Sequence, residues 1–541
     1  MPLPSDSSLP GPAVDVVIVG AGFAGLYALY RLRALGLRCA VIEAGSDVGG
    51  TWYWNRYPGA RCDIESVEYS YSFSPELEQQ WDWHERFAAQ PDILRYLQHV
   101  ADRFDLRRDI RFDTRVTSAR FVRARAVWQL QTQCGDSLEA RWLVMATGCL
   151  SSAKLPDIEG RESFAGPAYH SGNWPHQSVD FTGQTVAVIG TGSTAIQLIP
   201  QLAEQAARLL VFQRTPNFSL PAQNRPLGDD DRREAKARYA EIRSKARRSS
   251  AGVAYFPVAT QSALEIPADE RERMLEAAWQ RGGTGIGRLF TDTMTRPEAN
   301  QIVADFVRRK ISQKLSKPLL AEKVLPHNHP IGTKRICLDT GYFEALSKRN
   351  VTLIDARDEP IVSIDATGVR TTRSHHVVDA LVFATGFDAM TGALLSIDIR
   401  TDDGVMLSDL WANGPASYLG LAVAGLPNLF TVTGPGSPSV LSNMVVSIEQ
   451  HVEWITDCIG WMRRAGHTRI EATPHAQAAW VEHVNALADA TLFPQALSWY
   501  TGANVPGKPC VFMPYVGGVG AYREKCAAVA AAGYAGFSIG R

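Results

Sequence analysis

The fold is decided by residues 14–25, which read VDVVIVGAGFAG. The β-branched run predicts a buried parallel strand, and Gly20, Gly22 and Gly25 have the GxGxxG spacing of a tight turn into a helix. A helix over 26–35 and a second strand over 38–42, followed by Glu43, complete a βαβ unit. Such a unit binds a pyrophosphate at the helix start, and the carboxylate accepts hydrogen bonds from a ribose. Because a carboxylate there repels a 2′-phosphate, the site favours FAD or NAD.

A second unit of this kind starts at residue 185, with strand 185–189, helix 196–207 and strand 208–212. Arg214 and Thr215 follow its second strand in place of an acid. Arginine forms charge-assisted contacts with a phosphate, and threonine adds a hydroxyl, so this site is predicted to hold NADPH. The predicted contacts around its GxGxxA turn are Gly190, Thr191, Gly192, Ser193, Thr194, Ala195 and Gln197.

The two units predict an α/β protein with two Rossmann-like dinucleotide-binding domains, one for FAD and one for NADP. Residues 222–330 have a helical composition and form a predicted insertion, whose charges are expected to be a solvated face. The expected division is a disordered segment 1–12, an FAD domain from 13–155 and 387–541, and an NADP domain from 156–221 (with a linker at 164–175) and 331–386.

Net charge, apolar runs and cysteine spacing exclude several kinds of binding partner. The net charge of −1 argues against a generally basic surface for nucleic acid or anionic lipid. No apolar run approaches the roughly 20 residues that span a bilayer, and the first residues do not resemble a signal peptide. The eight cysteines are scattered without a CxxC pair, which is typical of reduced thiols. We expect a cytoplasmic protein that binds no metal, membrane or nucleic acid.

Residues 164–175 read FAGPAYHSGNWP and match FxGxxxHxxxWP at Phe164, Gly166, His170, Trp174 and Pro175. This stretch resembles the signature of the type I Baeyer–Villiger monooxygenases, and the resemblance covers nearly the whole chain. The segments 434–444 and 499–508 resemble most the branch with phenylacetone and steroid monooxygenases. In that family the signature links the domains, so His170 is expected to be a hydrogen-bonding fixture of a linker and not a catalytic base.

The resemblance implies an NADPH-dependent flavoprotein monooxygenase. Reduced FAD and O2 form a C4a-peroxide, which attacks a ketone and yields an ester or lactone. Because the peroxide and the adduct are anionic, a fixed cation would stabilise both. Arg335 matches the family position of this cation, Asp63 matches the carboxylate that pairs with it, and Lys334 is expected to turn toward the NADP 2′-phosphate.

The resemblance also implies further contacts. Trp499 would close over the nicotinamide side, and Arg61 and Asp63 would lie beside NADP. The expected FAD contacts are Thr51, Trp52, Tyr69 and Met444, and the expected substrate contacts are Ser439, Val440 and Leu441.

Two other functions stay open. The chain could be a flavin monooxygenase that oxidises amines or sulfides, or an FAD/NADPH module that passes electrons to a partner. Trp174, Pro175 and Arg335 favour ketone oxidation over both. The expected partners are O2 and a small-molecule ketone, with no obligatory protein partner. A dependence of NADPH consumption on a ketone would separate the electron-transfer module from the oxygenase.

Overall fold

The computed structural model describes residues 14–316 and 318–541, so the prediction of disorder over 1–12 lies outside the described residues. Its strands are β1 (Val16–Val19), β2 (Cys39–Ile42), β3 (Ile110–Arg111), β4 (Val116–Val122), β5 (Val127–Thr132), β6 (Ser137–Ala140), β7 (Trp142–Met145), β8 (Ala168–His170), β9 (Thr185–Ile189), β10 (Arg208–Gln213), β11 (Ser219–Pro221), β12 (Cys337–Asp339), β13 (Val351–Asp355), β14 (Ile361–Asp365), β15 (Gly368–Thr371), β16 (His375–Val377), β17 (Ala380–Phe383), β18 (Asp398–Thr401), β19 (Leu429–Thr431), β20 (Arg469–Ala472) and β21 (Phe537–Gly540). Its helices are α1 (Phe23–Ala34), α2 (Thr51–Trp54), α3 (Pro75–Gln80), α4 (Gln90–Arg103), α5 (Ser193–Gln205), α6 (Asp229–Arg248), α7 (Ala268–Arg281), α8 (Pro297–Lys314), α9 (Pro318–Val324), α10 (Tyr342–Leu346), α11 (Gly392–Leu395), α12 (Leu407–Leu410), α13 (Met444–Arg464), α14 (Pro474–Asp489) and α15 (Val519–Ala531).

The first large sheet is parallel and has the strand order β19-β7-β1-β2-β3. Val16 and Ile18 of β1 pack into the core that also holds α1 and α13. Val17 and Val19 pack on the opposite face, in the core shared with β4, β5 and β18. A strand buried on both faces explains its unbroken run of β-branched residues. Since β19 comes from the C-terminal part of the chain, this sheet joins segments that are far apart in sequence.

The second large sheet is also parallel, with the order β13-β10-β9-β17-β8. Its central strand β9 runs into the glycine turn at residues 190–195 and then into α5. The helices α6 to α9 lie between β11 and β12, within the range of the predicted insertion.

The expectation that the charges of the insertion form a solvated face is wrong at Arg243 of α6. The Nε of Arg243 lies 2.7 Å from Oε1 of Glu78, and both side chains are less than a tenth exposed. Its Nη2 also donates a hydrogen bond of 2.8 Å to the hydroxyl of Ser70. The correction has a physical reason: α6 docks on residues 68–78, so one of its arginines lies in the interface and needs a buried carboxylate.

Several boundaries and small sheets differ from the sequence predictions. The helices α1 and α5 begin at Phe23 and Ser193, three residues earlier than predicted in each case, because Gly22 and Gly192 already cap them. The antiparallel sheet β14-β15-β16 and the pair β20-β21 carry no clear signal in the sequence. Among the described residues, no helix combines the length and the apolar character that a membrane crossing requires.

Candidate active site

The first glycine turn lets backbone atoms approach a bound group closely. Gly20 has a φ of +105°, which favours glycine, and a Cβ on Gly25 would lie 1.8 Å from the carbonyl oxygen of Gly20. A Cβ on Gly22 would lie 3.3 Å from the Cα of Gly50. The first turn of α1 holds no acidic residue. Its unpaired N–H groups therefore suit a pyrophosphate.

Glu43 lies beside this turn, directly after β2, and is buried. Its carboxylate accepts hydrogen bonds of 2.7 Å from the backbone N–H groups of Ala21 and Gly45. Burial raises the pKa of Glu43, although these two donors lower it. Because each carboxylate oxygen has a second lone pair, Glu43 can also accept hydrogen bonds from a ribose. The residues present thus fit the adenosine half of FAD.

The second glycine turn repeats this geometry after β9. Gly190 has a φ of +117°, and a Cβ there would lie 2.4 Å from the carbonyl oxygen of Ala384. No atom lies within 4 Å of the Cβ position of Gly192, and the first turn of α5 holds no acid. The open space beside a helix start fits a pyrophosphate. Around the turn, Ser193 is exposed, Thr194 is half-buried, and Thr191 and Ala195 are buried.

Arg214 follows the end of β10 and is near enough to Lys334 and Lys154 to interact with their charges. Arg214 is exposed, and its guanidinium makes no ion pair within the part of the chain that the structure describes. Burial lowers the pKa of Lys334 and of Lys154, and the charge of Arg214 lowers both further. The hydroxyl of Thr191 donates a hydrogen bond of 3.0 Å to the carbonyl of Thr215, which fixes this end of the strand. A phosphate would offset the repulsion among the cations, so the residues fit the 2′-phosphate of NADPH.

Lys334 also contacts the loop that precedes Trp499. Its Nζ donates a hydrogen bond of 2.6 Å to the carbonyl oxygen of Leu497. The physical reason is that the partly buried ammonium needs an acceptor, and the nearby loop supplies one. Lys334 therefore connects the cation group at Arg214 with the loop that precedes Trp499.

Gln197 is a predicted NADP contact, but its side-chain amide forms hydrogen bonds with the loop that follows α2. Its Oε1 accepts a hydrogen bond of 2.9 Å from the Tyr57 hydroxyl, and its Nε2 donates one of 3.1 Å to the carbonyl of Arg61. The guanidinium of Arg61 turns away to Glu85, at 2.7 Å. Gln197 thus ties α5 to the loop that carries Asp63.

Arg335 and Asp63 form the strongest pair of the site. The Nε and Nη2 of Arg335 donate parallel hydrogen bonds of 2.7 Å to Oδ2 and Oδ1 of Asp63. Its Nη1 donates a third bond of 2.7 Å to the carbonyl of Val440. Burial lowers the pKa of Arg335, but the charge and hydrogen bonds of Asp63 outweigh it and raise the pKa well above its usual range. The guanidinium is thus held in one orientation and stays charged.

An apolar cluster adjoins this guanidinium. Tyr500 and Val440 belong to its buried part, and Leu441, Met444 and Trp499 pack against it. Burial raises the pKa of the Tyr500 phenol to about 12, although Arg335 lowers it. The cluster excludes water from one side of the cation, which strengthens the field of a fixed charge.

Three of the other predicted flavin contacts lie in or after α2. The indole N–H of Trp52 donates a hydrogen bond of 3.3 Å to the Tyr69 hydroxyl, and the two rings meet edge to face at 5.8 Å. Thr51 is exposed at the start of α2. Ser439 is buried in the 3-10 turn Ser439–Leu441. Of this turn, Val440 contacts Arg335 through its carbonyl oxygen.

The signature stretch forms the edge strand β8 and the turn after it. His170 accepts a hydrogen bond of 3.0 Å at Nδ1 from the N–H of Gly172, and its Nε2 lies 3.2 Å from the carbonyl of Lys154. Burial lowers its pKa. A Cβ on Gly166 would lie 2.6 Å from a backbone oxygen, and Trp174 is buried. With Phe164 and Pro175 on either side, these contacts hold the imidazole of His170 and the turn after β8 in place.

Comparisons with known proteins bear on this geometry. A family model described as pyridine nucleotide-disulphide oxidoreductase matches residues 17–226. A protein named Baeyer-Villiger monooxygenase, from Pseudooceanicola batsensis, is 41% identical over 528 residues, 97% of this chain and 96% of that protein. The chain belongs to the Baeyer–Villiger monooxygenases. Another relative of this Baeyer–Villiger monooxygenase, the phenazine N-monooxygenase of Lysobacter antibioticus, is 40% identical over 529 residues, 97% of each chain.

Solved structures of other proteins share the fold of this Baeyer–Villiger monooxygenase. Steroid monooxygenase bound to NADP has a TM-score of 0.93 at 51% identity, covering 97% of this chain and 99% of that one. A complex of OTEMO with FAD and NADP has a TM-score of 0.94 at 39% identity, covering 98% and 100%. The predicted family, the α/β fold with FAD and NADP domains, and the cofactor pair are confirmed.

Two residues of this Baeyer–Villiger monooxygenase site are missing from the sequence predictions. Lys154 lies close to Arg214, and Arg288 lies close to Arg335. Neither residue belongs to a motif, and each reaches the site from a different segment. Only the folded arrangement shows them.

Proposed function

We propose that this enzyme inserts one oxygen atom from O2 next to the carbonyl of a small-molecule ketone, giving an ester or lactone, with Arg335 as the fixed cation of the reaction centre. When bound, FAD that NADPH has reduced activates O2 for attack on the carbonyl. The observation that carries the role of Arg335 is its double hydrogen bond with Asp63, combined with the third bond to Val440.

Three anchored donors leave Arg335 little freedom to reorient while negative charge develops on the reacting oxygens. A preorganised donor of this kind is typically worth about 3–4 kcal/mol of barrier. Arginine does not give up its proton at any working pH, so it stabilises an anion without neutralising it. Asp63 acts through Arg335 as a positioning residue.

The assignment of segments to cofactors is part of the proposal. The parallel sheet around β1 supports FAD assigned to 13–155 and 387–541, and the sheet around β9 supports NADP assigned to 156–221 and 331–386, with 222–330 as the insertion. Arg214 would bind the 2′-phosphate, Trp499 would close over the nicotinamide side, and Ser439, Val440 and Leu441 would line the substrate side.

A single chain that holds both cofactor sites needs no obligatory protein partner for electron transfer. The eight cysteines are free thiols in the structure, which supports a reducing compartment such as the cytoplasm. We therefore propose O2 and a ketone as the partners of the reaction.

Oxidation of a nitrogen or sulfur atom is the second candidate. The similarity to a phenazine N-monooxygenase favours it, because 40% identity is as high as the identity to several ketone-oxidising relatives. The anchored Arg335 supports ketone oxidation, since attack on a carbonyl creates an anionic adduct that a cation stabilises. An electron-transfer module would need no such anchored cation.

Purified enzyme should first show bound FAD in its visible spectrum. It is then incubated with NADPH, O2 and phenylacetone, in parallel with phenazine and methyl phenyl sulfide, and the products are identified by gas or liquid chromatography with mass detection. We expect benzyl acetate in proportion to the NADPH consumed. If phenazine or the sulfide is oxidised while no ketone of a larger panel gives an ester, ketone oxidation is contradicted. Ketone-independent NADPH consumption without an oxygenated product would favour the electron-transfer module.

A further inference from the structure

Arg288 brings a second guanidinium to the reaction centre. It ends the 3-10 turn Gly285–Arg288 of the insertion and is half-buried. Its Nη2 lies 3.4 Å from the carbonyl oxygen of Leu441, and its Nη1 lies 3.3 Å from the hydroxyl of Ser250. Both contacts are longer than a normal hydrogen bond of about 2.9 Å. Arg288 is therefore close to the turn Ser439–Leu441 without being firmly held by it.

The guanidinium groups of Arg288 and Arg335 approach consecutive carbonyls of one turn. Arg335 bonds the carbonyl of Val440, and Arg288 approaches that of Leu441. Burial lowers the pKa of Arg288, and the charge of Arg335 lowers it further. The two cations thus repel each other inside a partly dry site.

The two arginines differ in their counter-ions. Asp63 neutralises Arg335, with 2.7 Å between Nη2 and Oδ1. No carboxylate of residues 14–316 or 318–541 lies within the 4.0 Å of an ion pair from the guanidinium of Arg288. Its guanidinium carbon instead lies 5.7 Å from the ring centroid of Phe256. The positive charge of Arg288 thus has no counter-ion among these residues. A bound anion would offset the free-energy cost of holding this charge in a partly buried place.

The surroundings of this charge restrict what the anion can be attached to. Val440 belongs to the apolar cluster that holds Tyr500, Phe512 and Met513, and Leu441 packs against this cluster. A molecule that contacts this cluster and also pairs with Arg288 must be apolar over most of its length and negative at one end. A ketone with a carboxylate, sulfate or phosphate group has this chemistry.

We propose that Arg288 is a specificity-determining residue that selects ketones carrying an anionic group. The anion pairs with Arg288 while the carbonyl lies at Arg335. This proposal rests on the proposed ketone oxidation and adds the substrate class to it. Charge-assisted bonds to the guanidinium would raise kcat/KM for the charged ketone relative to a neutral ketone of the same shape.

The test compares meta-carboxyphenylacetone with its primary amide, which has nearly the same shape and no charge. Initial rates of ester formation give kcat/KM for both ketones in the wild type and in Arg288→Gln, Arg288→Lys and Arg296→Gln. Arg296 is a matched control, because it lies in the same insertion with an exposed side chain. We expect the wild type and the control to prefer the carboxylate by about tenfold or more. Arg288→Gln should remove that preference, and Arg288→Lys should retain part of it.

A merely structural role of Arg288 would lower the rates for both ketones equally and leave their ratio unchanged, which would overturn the proposal. Equal or better turnover of the amide by the wild type would also overturn it. A raised KM for NADPH in Arg288→Gln, with an unchanged ketone ratio, would assign the anion to the cofactor phosphates instead.

A binding measurement separates this proposal from the proposed function. The flavin absorbance of oxidised holoenzyme with NADP+ is titrated with each ketone to obtain Kd. If no ketone yields an ester, ketone oxidation fails, and the Kd ratio still decides the role of Arg288. If the wild type binds the carboxylate ketone with a lower Kd than the amide, and Arg288→Gln does not, the anion site is supported. Equal Kd values in the wild type overturn it.

Discussion

Asp63 and Arg335 lie 272 positions apart in the sequence and meet through two parallel hydrogen bonds of 2.7 Å. Asp63 belongs to the loop after α2, and Arg335 lies between the insertion and β12. The side chains are about a quarter exposed, so the pair is accessible from the site without being fully solvated. The carboxylate of Asp63 therefore holds the guanidinium of Arg335 against the turn Ser439–Leu441.

Asp63→Asn should slow ester formation by about tenfold to a hundredfold, because Arg335 loses the charge that positions it. FAD content and the rate of flavin reduction by NADPH should change little, and more of the NADPH should yield hydrogen peroxide. Product quantification together with peroxide detection checks this. Asp230→Asn, at an exposed ion pair with Arg233, is the matched control. If Asp63→Asn forms as much ester per NADPH consumed as the wild type, Asp63 does not position Arg335.

Arg214→Gln should raise the KM for NADPH by about tenfold to a hundredfold and leave that for NADH nearly unchanged, because on the proposed assignment the lost guanidinium would contact only the 2′-phosphate. Steady-state kinetics with both cofactors checks this. Arg208→Gln, with an exposed residue at the other end of β10, should behave as the wild type. Equal effects on both cofactors would mean that Arg214 acts on the shape of the site and not on the phosphate.

Glu68 should make the stability of the enzyme depend on pH. It is buried and accepts hydrogen bonds from the backbone N–H groups of Ala254, at 2.6 Å, and Tyr255, at 3.2 Å. Burial raises the pKa of its carboxyl from 4.5 to about 7, although these donors lower it, while Glu65 raises it and Arg243 lowers it. The folded protein thus binds this proton more tightly than the unfolded chain. The stabilisation is complete below about pH 4.5 and is lost as the pH rises through about 7.

Glu68→Gln carries no ionisable group here, so its unfolding temperature should fall less than that of the wild type between pH 5 and pH 8. The difference in unfolding free energy across this window should reach about 1–3 kcal/mol. Thermal unfolding of both proteins at several pH values measures it. Parallel curves for the two proteins would contradict the assignment to Glu68.

The core elements of both dinucleotide units could be predicted because their signals are local. The run 16–19 before Gly20 and the run 185–189 before Gly190 each combine β-branched residues with a glycine turn. The short antiparallel strands β14 to β16 could not be predicted, because they are partly exposed and depend on pairing more than on burial.

The residues of the site also divide into those that the sequence predicts and those that only the folded chain brings together. The pairing of Asp63 with Arg335 followed from resemblance to a family, since nothing local connects two such distant residues. The contacts of Lys334 with Leu497 and of Gln197 with Tyr57 depend on how loops from different segments pack. Arg288 was missed for this reason, because a lone arginine in a helical insertion carries no signal of what it approaches.

Arg335→Ala tests the central claim most directly, with reduction and oxygenation measured separately on one preparation. The variant should bind FAD, be reduced by NADPH at a rate near that of the wild type, and form at least about a hundredfold less benzyl acetate from phenylacetone. Consumed NADPH should then appear as hydrogen peroxide. Ester formation near the wild-type rate would contradict the role of Arg335 as the cation of the reaction centre.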